Sequence, residues 1–364
     1  MDYLLQVTLD GTPLGGDTLG LLSRLEVRES DFDATVAALR FRIAQGPQGE
    51  LSPIDDGLFL PASKLAVKLT VPGSTPTPLF EGYVTHVRPH FEAIEANCYV
   101  EILAMDAAVL MGAEERVASY PDSTDAQAAE DIFTRYHLPF EGEPTAARHE
   151  ERRQLLVQRG TDWDFVRQLA RRNGFCCYLE PDPVSGKVTA HFKRRSVEGS
   201  PQPHLALLHP EANARWLDLQ LVTTGPVRFV GASIDPLAKR LVRSEGAPVL
   251  APMGPQPMED LVRRLESAGA SGTTGLLRDP FPLDAAIQAE GSGATDRSAF
   301  AVELRGELDV AQYRGLLRAR RPVLVKGVGH AFAGAYYVRT VRTTLEGGGL
   351  SQTFVGQRNA LGPT

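Results

Sequence analysis

Gly82-Tyr83-Val84-Thr85-His86-Val87-Arg88 and, far down the chain, Ala335-Tyr336-Tyr337-Val338-Arg339-Thr340-Val341-Arg342 both read Tyr-Val-x-x-Val-Arg. Each follows an alternating apolar stretch, Leu65 to Val71 in the first case and Val323 to Val328 in the second. Each runs through a turn (Glu92 to Glu95; Glu346 to Gly349) into a further strand, and Tyr83 to Val100 spans the same 17 residues as Tyr337 to Phe354. Strands share composition, so a short match alone carries little. The matching hairpin on both sides makes it an internal duplication of one β-unit. Three copies of such a chain make a ring of six similar barrels, able to meet a six-fold partner on one face and a three-fold partner on the other. Barrel edges left unpaired in one chain can then be covered by a neighbour.

Outward from these stretches, the first hundred residues are strand-like. Leu25 and Val27 alternate with Arg24, Glu26 and Arg28; Leu39, Phe41 and Ile43 alternate with Arg40 and Arg42. A period of two puts one apolar face on a core and a charged face outward. Tyr3 to Leu9, Lys64 to Val71, Gly82 to His90 and Ala96 to Met105 complete six strands of a small barrel or sandwich. After Tyr120 the period changes. Ser123 or Thr124 caps a helix carrying Ala128, Ala129, Ile132, Phe133 and Tyr136, and Thr161-Asp162-Trp163-Asp164 opens a second with Phe165, Val166, Leu169 and Ala170 as its buried stripe and Asn173-Gly174 as its stop. Phe175 to Glu180 and Lys187 to Phe192 pair as a hairpin. Strands return at Trp216 to Val222 and Val227 to Ile234. A Pro- and Gly-rich excursion then holds a helix over Glu259 to Ala268 and a weaker one over Leu283 to Phe300, where Gly291 and Gly293 each cost about 1 kcal/mol relative to Ala. Pro322 to Val328, Ala335 to Leu345 and Leu350 to Gln357 close the chain. The expected division is a first β-barrel at 1–118, an α/β insertion at 119–212, and a second β-barrel at 213–364 whose excursion covers about 244–299.

The chain has 364 residues, 43% hydrophobic and 23% charged, with a net charge of −7. That length suits more than one core. The acidic balance argues against a specific nucleic-acid partner, and no apolar run is long enough to insert in a membrane. The N-terminus lacks the pattern of a secretory signal, so synthesis in the bacterial cytoplasm is expected. Cys98, Cys176 and Cys177 have no metal or redox spacing and read as buried thiols.

Phe80 to Val87, then Gln158-Arg159-Gly160-Thr161-Asp162-Trp163-Asp164-Phe165-Val166-Arg167-Gln168-Leu169-Ala170 with Gly174-Phe175, and Gly334 to Val341 with Gln357-Arg358-Asn359, resemble the phage late control D proteins and the hub portion of VgrG. The helix-entry motif is fairly specific; the strand motifs are weak alone but correctly ordered. The resemblance implies two tube-like barrels with an α/β insertion, forming a trimeric torus. It further implies a structural baseplate hub of a contractile injection system, joining the inner tube or a tube-initiator protein to a spike, with baseplate wedge proteins as further neighbours. The hub would be incorporated into a phage tail or tail-like particle. No repeats of a fused needle follow Asn359, so a separate spike protein is expected.

Chemical motifs are sparse, and no catalytic, cofactor-binding or metal residue is assigned. His191, His204 and His209 have no acidic partner at ligand spacing and read as surface residues. Asp162 and Asp164 could serve glycoside hydrolysis, but at a helix start they more simply cap amides and oppose the dipole. Gly347-Gly348-Gly349 joins two strands as a hairpin turn. The groups Arg152-Arg153, Arg171-Arg172, Lys193 to Arg195 and Arg318 to Arg321 read as solvated faces or interface rims. Tyr83 and Tyr337 read as barrel core. The expectation is therefore an interaction protein without enzymatic activity or cofactor; the competing readings are a hub-associated cell-wall hydrolase and a truncated VgrG-type effector carrier.

Overall fold

A computed structural model of the chain describes residues 3–152, 155–183, 185–222, 228–235, 237–269, 274–278 and 283–363. Arg153 and Val227, together with residues 270–273 and 279–282 of the excursion, lie outside them. The alternation in the first hundred residues produces β1 (Leu4–Leu9), β2 (Leu22–Ser30), β3 (Val36–Arg42), β4 (Lys64–Thr70), β5 (Thr77–His90) and β6 (Tyr99–Met105). Val7, Leu25, Val27, Leu39, Phe41, Leu65, Val67, Val84, Val100 and Ile102 converge on one apolar core, while the intervening Arg and Glu side chains face away.

The α/β insertion follows: β7 (Glu115–Tyr120), α1 (Asp125–Arg135), β8 (Leu156–Thr161), α2 (Asp162–Arg172), β9 (Cys176–Pro181) and β10 (Val188–Lys193). Thr124 caps α1 in a reciprocal box with Gln127, and the Thr161 hydroxyl accepts from the Asp164 amide to cap α2. Gly174, at φ +69°, ends α2 where a side chain would be strained. Phe133, Trp163, Phe165, Val166, Leu169, Phe175 and Phe192 form a second core, separate from that of the strands before it.

The chain then returns to β-structure with β11 (Gln202–Ala206), β12 (Ala214–Leu221), β13 (Arg228–Asp235) and β14 (Arg240–Glu245). Helices α3 (Met258–Ser267) and α4 (Asp284–Ala299) precede β15 (Val302–Asp309), β16 (Pro322–Lys326), β17 (Gly334–Glu346) and β18 (Gly349–Arg358). β7, β8, β11, β14 and β15 are strands that the pattern above leaves unassigned. β11 is only five residues long and contains Pro203; β15 alternates cleanly at Val302, Leu304 and Leu308, but its signal runs straight on from a helix. Gly347 and Gly348, at φ +56° and +77°, make the two-residue β17–β18 turn.

Hydrogen bonding shows the duplication directly. One unit has the lateral order β2-β3-β6-β5-β4-β1, and the other β12-β15-β18-β17-β16-β11. Numbered by position in the chain, both are 2-3-6-5-4-1. Irregularities also match: the β5–β6 register slips between Val84 and His86, and the β17–β18 register between Val338 and Thr340. A second slip, between Leu22 and Arg24, recurs between Ala214 and Trp216. Bulges recurring at two equivalent places leave little room for coincidence. The equal spacing to Val100 and Phe354 is misleading, however. Val87 faces Ile102 while Val341 faces Phe354, so Ile102 is the true counterpart, two residues further on. The units join through β17 and β2, paired antiparallel from Thr340–Ser30 to Glu346–Arg24, and their cores form one continuous cluster. The fold is thus mixed β with an α/β insertion and two related barrel-type units. One departure from internal symmetry is that β1 runs antiparallel to β4 whereas β11 runs parallel to β16.

The two glycines that weaken α4 have a packing reason. A Cβ on Gly293 would lie 2.5 Å from the Gly174 nitrogen, and one on Gly291 would lie 2.9 Å from the Gly246 nitrogen. The helix is therefore seated between the stop of α2 and the end of β14, at backbone-to-backbone distance. Gly293→Ala gains about 1 kcal/mol of helix propensity but creates a backbone clash of roughly 1–3 kcal/mol, so a net loss of stability in urea melts is expected. Trp163→Ala, emptying the insertion's core, should cost roughly 3–5 kcal/mol in the same measurement.

Candidate functional site

Where the insertion meets both barrel units, charged side chains are enclosed. β17 pairs with β2 so that Val341 stands opposite Glu29, at the end of the strand that continues to Asp31. From the segment before β16, Arg318 and Arg320 reach into the same place. Arg318 Nε donates to Glu29 Oε1 at 2.9 Å and Nη1 to the Pro78 carbonyl at 3.2 Å. Arg320 Nε donates to the Ser30 carbonyl at 2.9 Å, and its guanidinium stacks on the Tyr178 ring 4.3 Å away. Glu180, on β9, lies 3.5 Å from Arg318, 3.7 Å from Arg320 and 3.5 Å from Arg321. Burial pushes the Glu180 carboxyl up, but Arg320, Arg318 and Arg321 together hold it below its ordinary value. The site is a three-way clamp of opposite charges: Glu29 from the first unit, Glu180 from the insertion and the arginines from the second unit.

Beside it, Asp31 receives Arg195 Nε and Arg339 Nε, each at 3.3 Å. Arg339 is the residue skipped by the β17 bulge, which turns it toward Asp31, and its carbonyl accepts from the Asp31 amide at 3.1 Å. Deeper in the insertion, Asp125 takes His149 at 2.7 Å, Arg172 Nε at 3.0 Å and Asn173 at 2.6 Å.

Several expectations are corrected here. Arg172, Arg318 and Arg320 are buried, not solvated, because each finds an enclosed carboxylate; Arg171 and Arg321 keep the exposed character expected of such groups. His191 is buried and stacked on Tyr178 at 4.7 Å; burial and then Lys193 push it down to about 4. His204 lies 2.9 Å from Glu211. Tyr83 and Tyr337 do not enter the barrel core. They occupy equivalent positions on the opposite strand face from Val84 and Val338, Tyr83 against the insertion's core and Tyr337 beside Met253 and Phe300. Asp162 does not cap backbone amides; its carboxylate is sealed inside and accepts from Gln158 at 2.7 Å and Tyr136 at 2.8 Å, while Asp164 lies exposed. The two therefore flank no common water-filled cleft. All three cysteines are free and buried. Among the described residues, no three His, Cys, Asp or Glu side chains gather as a metal site, and no helix is long and apolar enough to cross a membrane.

A family model described as the Alg8 N-terminal domain matches residues 34–198. That is less than half the chain, and it leaves out β1, β2 and the whole second unit. No curated protein matches. Solved structures match over nearly the full length. A tail protein from Neisseria meningitidis MC58 is 12% identical, with 99% of this chain and 97% of that one covered at a TM-score of 0.65. The 43 kDa tail protein of prophage MuSo2 from Shewanella oneidensis is 11% identical, with 99% and 100% covered at 0.65. An E. coli component of the type VI secretion system, described as similar in structure to the T4 bacteriophage tail proteins gp27 and gp5, is 13% identical, with 98% and 77% covered at 0.54. At these identities the likeness establishes the fold alone: the chain has the same architecture as these tail proteins and this type VI secretion component.

Removing one partner of the clamp strands a buried charge, so Arg318→Ala should cost roughly 3–5 kcal/mol in denaturant melts. For His191 the folded value lies below its ordinary 6.5. The unfolded chain takes up that proton first, so the histidine's contribution to stability falls as pH drops from about 6.5 toward about 4. In urea melts at pH 7 and pH 4.5, His191→Gln should therefore lose less stability on acidification than the parent.

Proposed function

We propose that the chain is the structural baseplate hub of a contractile, phage-tail-like injection system, acting as a homotrimer that joins a six-fold inner tube to a three-fold spike. The observation that carries this reading is the repeated 2-3-6-5-4-1 unit with its matching bulges. Two equivalent units per chain, taken three times, supply six near-equivalent staves, and cyclic trimers are an ordinary closed assembly. The edge strand β12, whose Trp216 is partly exposed, is available for a neighbouring copy.

On this reading the parts are the first unit, the insertion with its own apolar core, and a second unit that begins with β11. The role is one of contacts rather than catalysis, and the sealed Asp162 speaks against the hydrolase alternative. The partners are a VgrG-like spike protein, the tube or tube-initiator protein, and baseplate wedge proteins at the periphery. The hub is made in the bacterial cytoplasm and built into the particle.

Mass photometry and two-dimensional class averages of the purified chain, alone and mixed with the tube and spike proteins encoded beside it, test this. A three-copy ring with six lobes is expected in at least one of these samples. A chain that stays monomeric in all of them, or a ring of different copy number, overturns the proposal.

A further inference from the structure

The Asp31 end of the charge junction opens into a cleft of about 290 Å³ in which positive charge is not balanced. Four guanidiniums line it, those of Arg171, Arg195, Arg297 and Arg339, against the two carboxylates of Asp31 and Asp296. Asp31 is already shared between Arg195 and Arg339. Asp296 is turned to the backbone, accepting from the amides of Val249 at 2.9 Å and Leu250 at 3.2 Å. Arg297 donates to the Arg171 carbonyl at 2.6 Å, a neutral partner at the end of α2. Burial, with help from Asp31, pushes the Cys176 thiol in the wall up to about 12, so it brings no negative charge. Burial, then the neighbouring Arg171 and Arg195 charges, lower Arg297 to about 10 against the opposing pull of Glu290 and Asp296, so that crowding among cations outweighs the nearby carboxylates.

The remaining walls are apolar. Phe32, Phe175 and Phe300 line the cleft beside Leu250, and Arg195 stacks on Phe300 at 4.6 Å. Arg171 and Arg297 stand at the solvent-exposed mouth. A chain carrying seven net negative charges lines this cleft with four arginines against two aspartates, over an aromatic floor.

We propose that this cleft is a socket for a carboxylate on an apolar stem, presented by a neighbouring polypeptide: its C-terminal carboxylate or an acidic side chain next to an apolar one. The mouth arginines hold the oxygens in the planar, two-pronged manner guanidinium favours, and the phenylalanines take the stem. A bare phosphate satisfies the charge but leaves the aromatic wall uncovered. This inference does not depend on the assembly proposed above.

Calorimetric titration of the full chain at low salt tests it. The probes are an acetylated dipeptide ending in phenylalanine with a free carboxylate, the same dipeptide as its amide, and inorganic phosphate. The free acid is expected to bind saturably and the amide at least tenfold more weakly. The double variant R171Q/R297Q, altered only at the exposed mouth, should weaken the acid at least tenfold while melting as the parent does; R24Q, on the outer face of β2, should bind unchanged. Equal binding of acid and amide, no saturable binding of the acid, or undiminished binding by R171Q/R297Q overturns the socket. Saturable phosphate binding without a response to the dipeptide acid overturns its assignment to a polypeptide carboxylate.

Discussion

Two buried carboxylates and two buried guanidiniums hold the three parts of this chain in one arrangement. Glu29 comes from the first unit, Glu180 from the insertion, and Arg318 and Arg320 from the second. Taking such groups out of water is expensive, and their attraction offsets that cost only while the geometry is kept. Sliding the insertion away from the barrels strips Arg318 and Arg320 of Glu180; parting β17 from β2 strips them of Glu29. The clamp is thus a weak source of net stability and a strong source of specificity. It penalises every docking of the insertion but one. Hydrophobic contact between the parts, which is tolerant of small slips, does not do this.

Features carried by near neighbours in sequence were legible. The period of two in β2, β3 and β4, the Thr124 and Thr161 caps, the apolar stripe of α2 and the turn at Gly347-Gly348 all follow from residues within a few positions of one another. The clamp was not. Arg318-Ala319-Arg320-Arg321 reads as a solvated run because its partner Glu29 lies 289 residues away. Nothing local distinguishes an arginine that will meet a carboxylate indoors from one that will meet water. The charge excess around Arg297 was hidden for the same reason, since its members come from α2, the segment after β10, α4 and β17. Gly291 and Gly293 looked like defects of α4 until the backbones of Gly246 and Gly174 were found against them.

The duplication was only partly legible, and the reason is volumetric. Phe80 of β5 corresponds to Gly334 of β17, and Gly82 to Tyr336. A Cβ on Gly82 would strike the Phe80 ring at 2.6 Å, while Tyr336 is fully buried in the second unit. One copy places its aromatic ring two residues before the other does, so the pair of positions keeps a ring and a gap in opposite order. Close-packed interiors accept such compensated exchanges. An eye aligning residue types sees only a mismatch. What survives is the part of each strand fixed by the bulge, Tyr-Val-x-x-Val-Arg.

The opposite directions of β1 and β11 have a geometric consequence. The two units share five strands running alike and differ at the sixth, so the chain arrives at one stave from the rim opposite to that by which it arrives at the other. The ring proposed above would therefore be uniform through its wall and alternate at its margins. A neighbour that grips only the wall counts every stave; one that reads the margin counts every second stave. In the proposed assembly one polypeptide would thereby carry two rulers, one with graduations twice as far apart as the other.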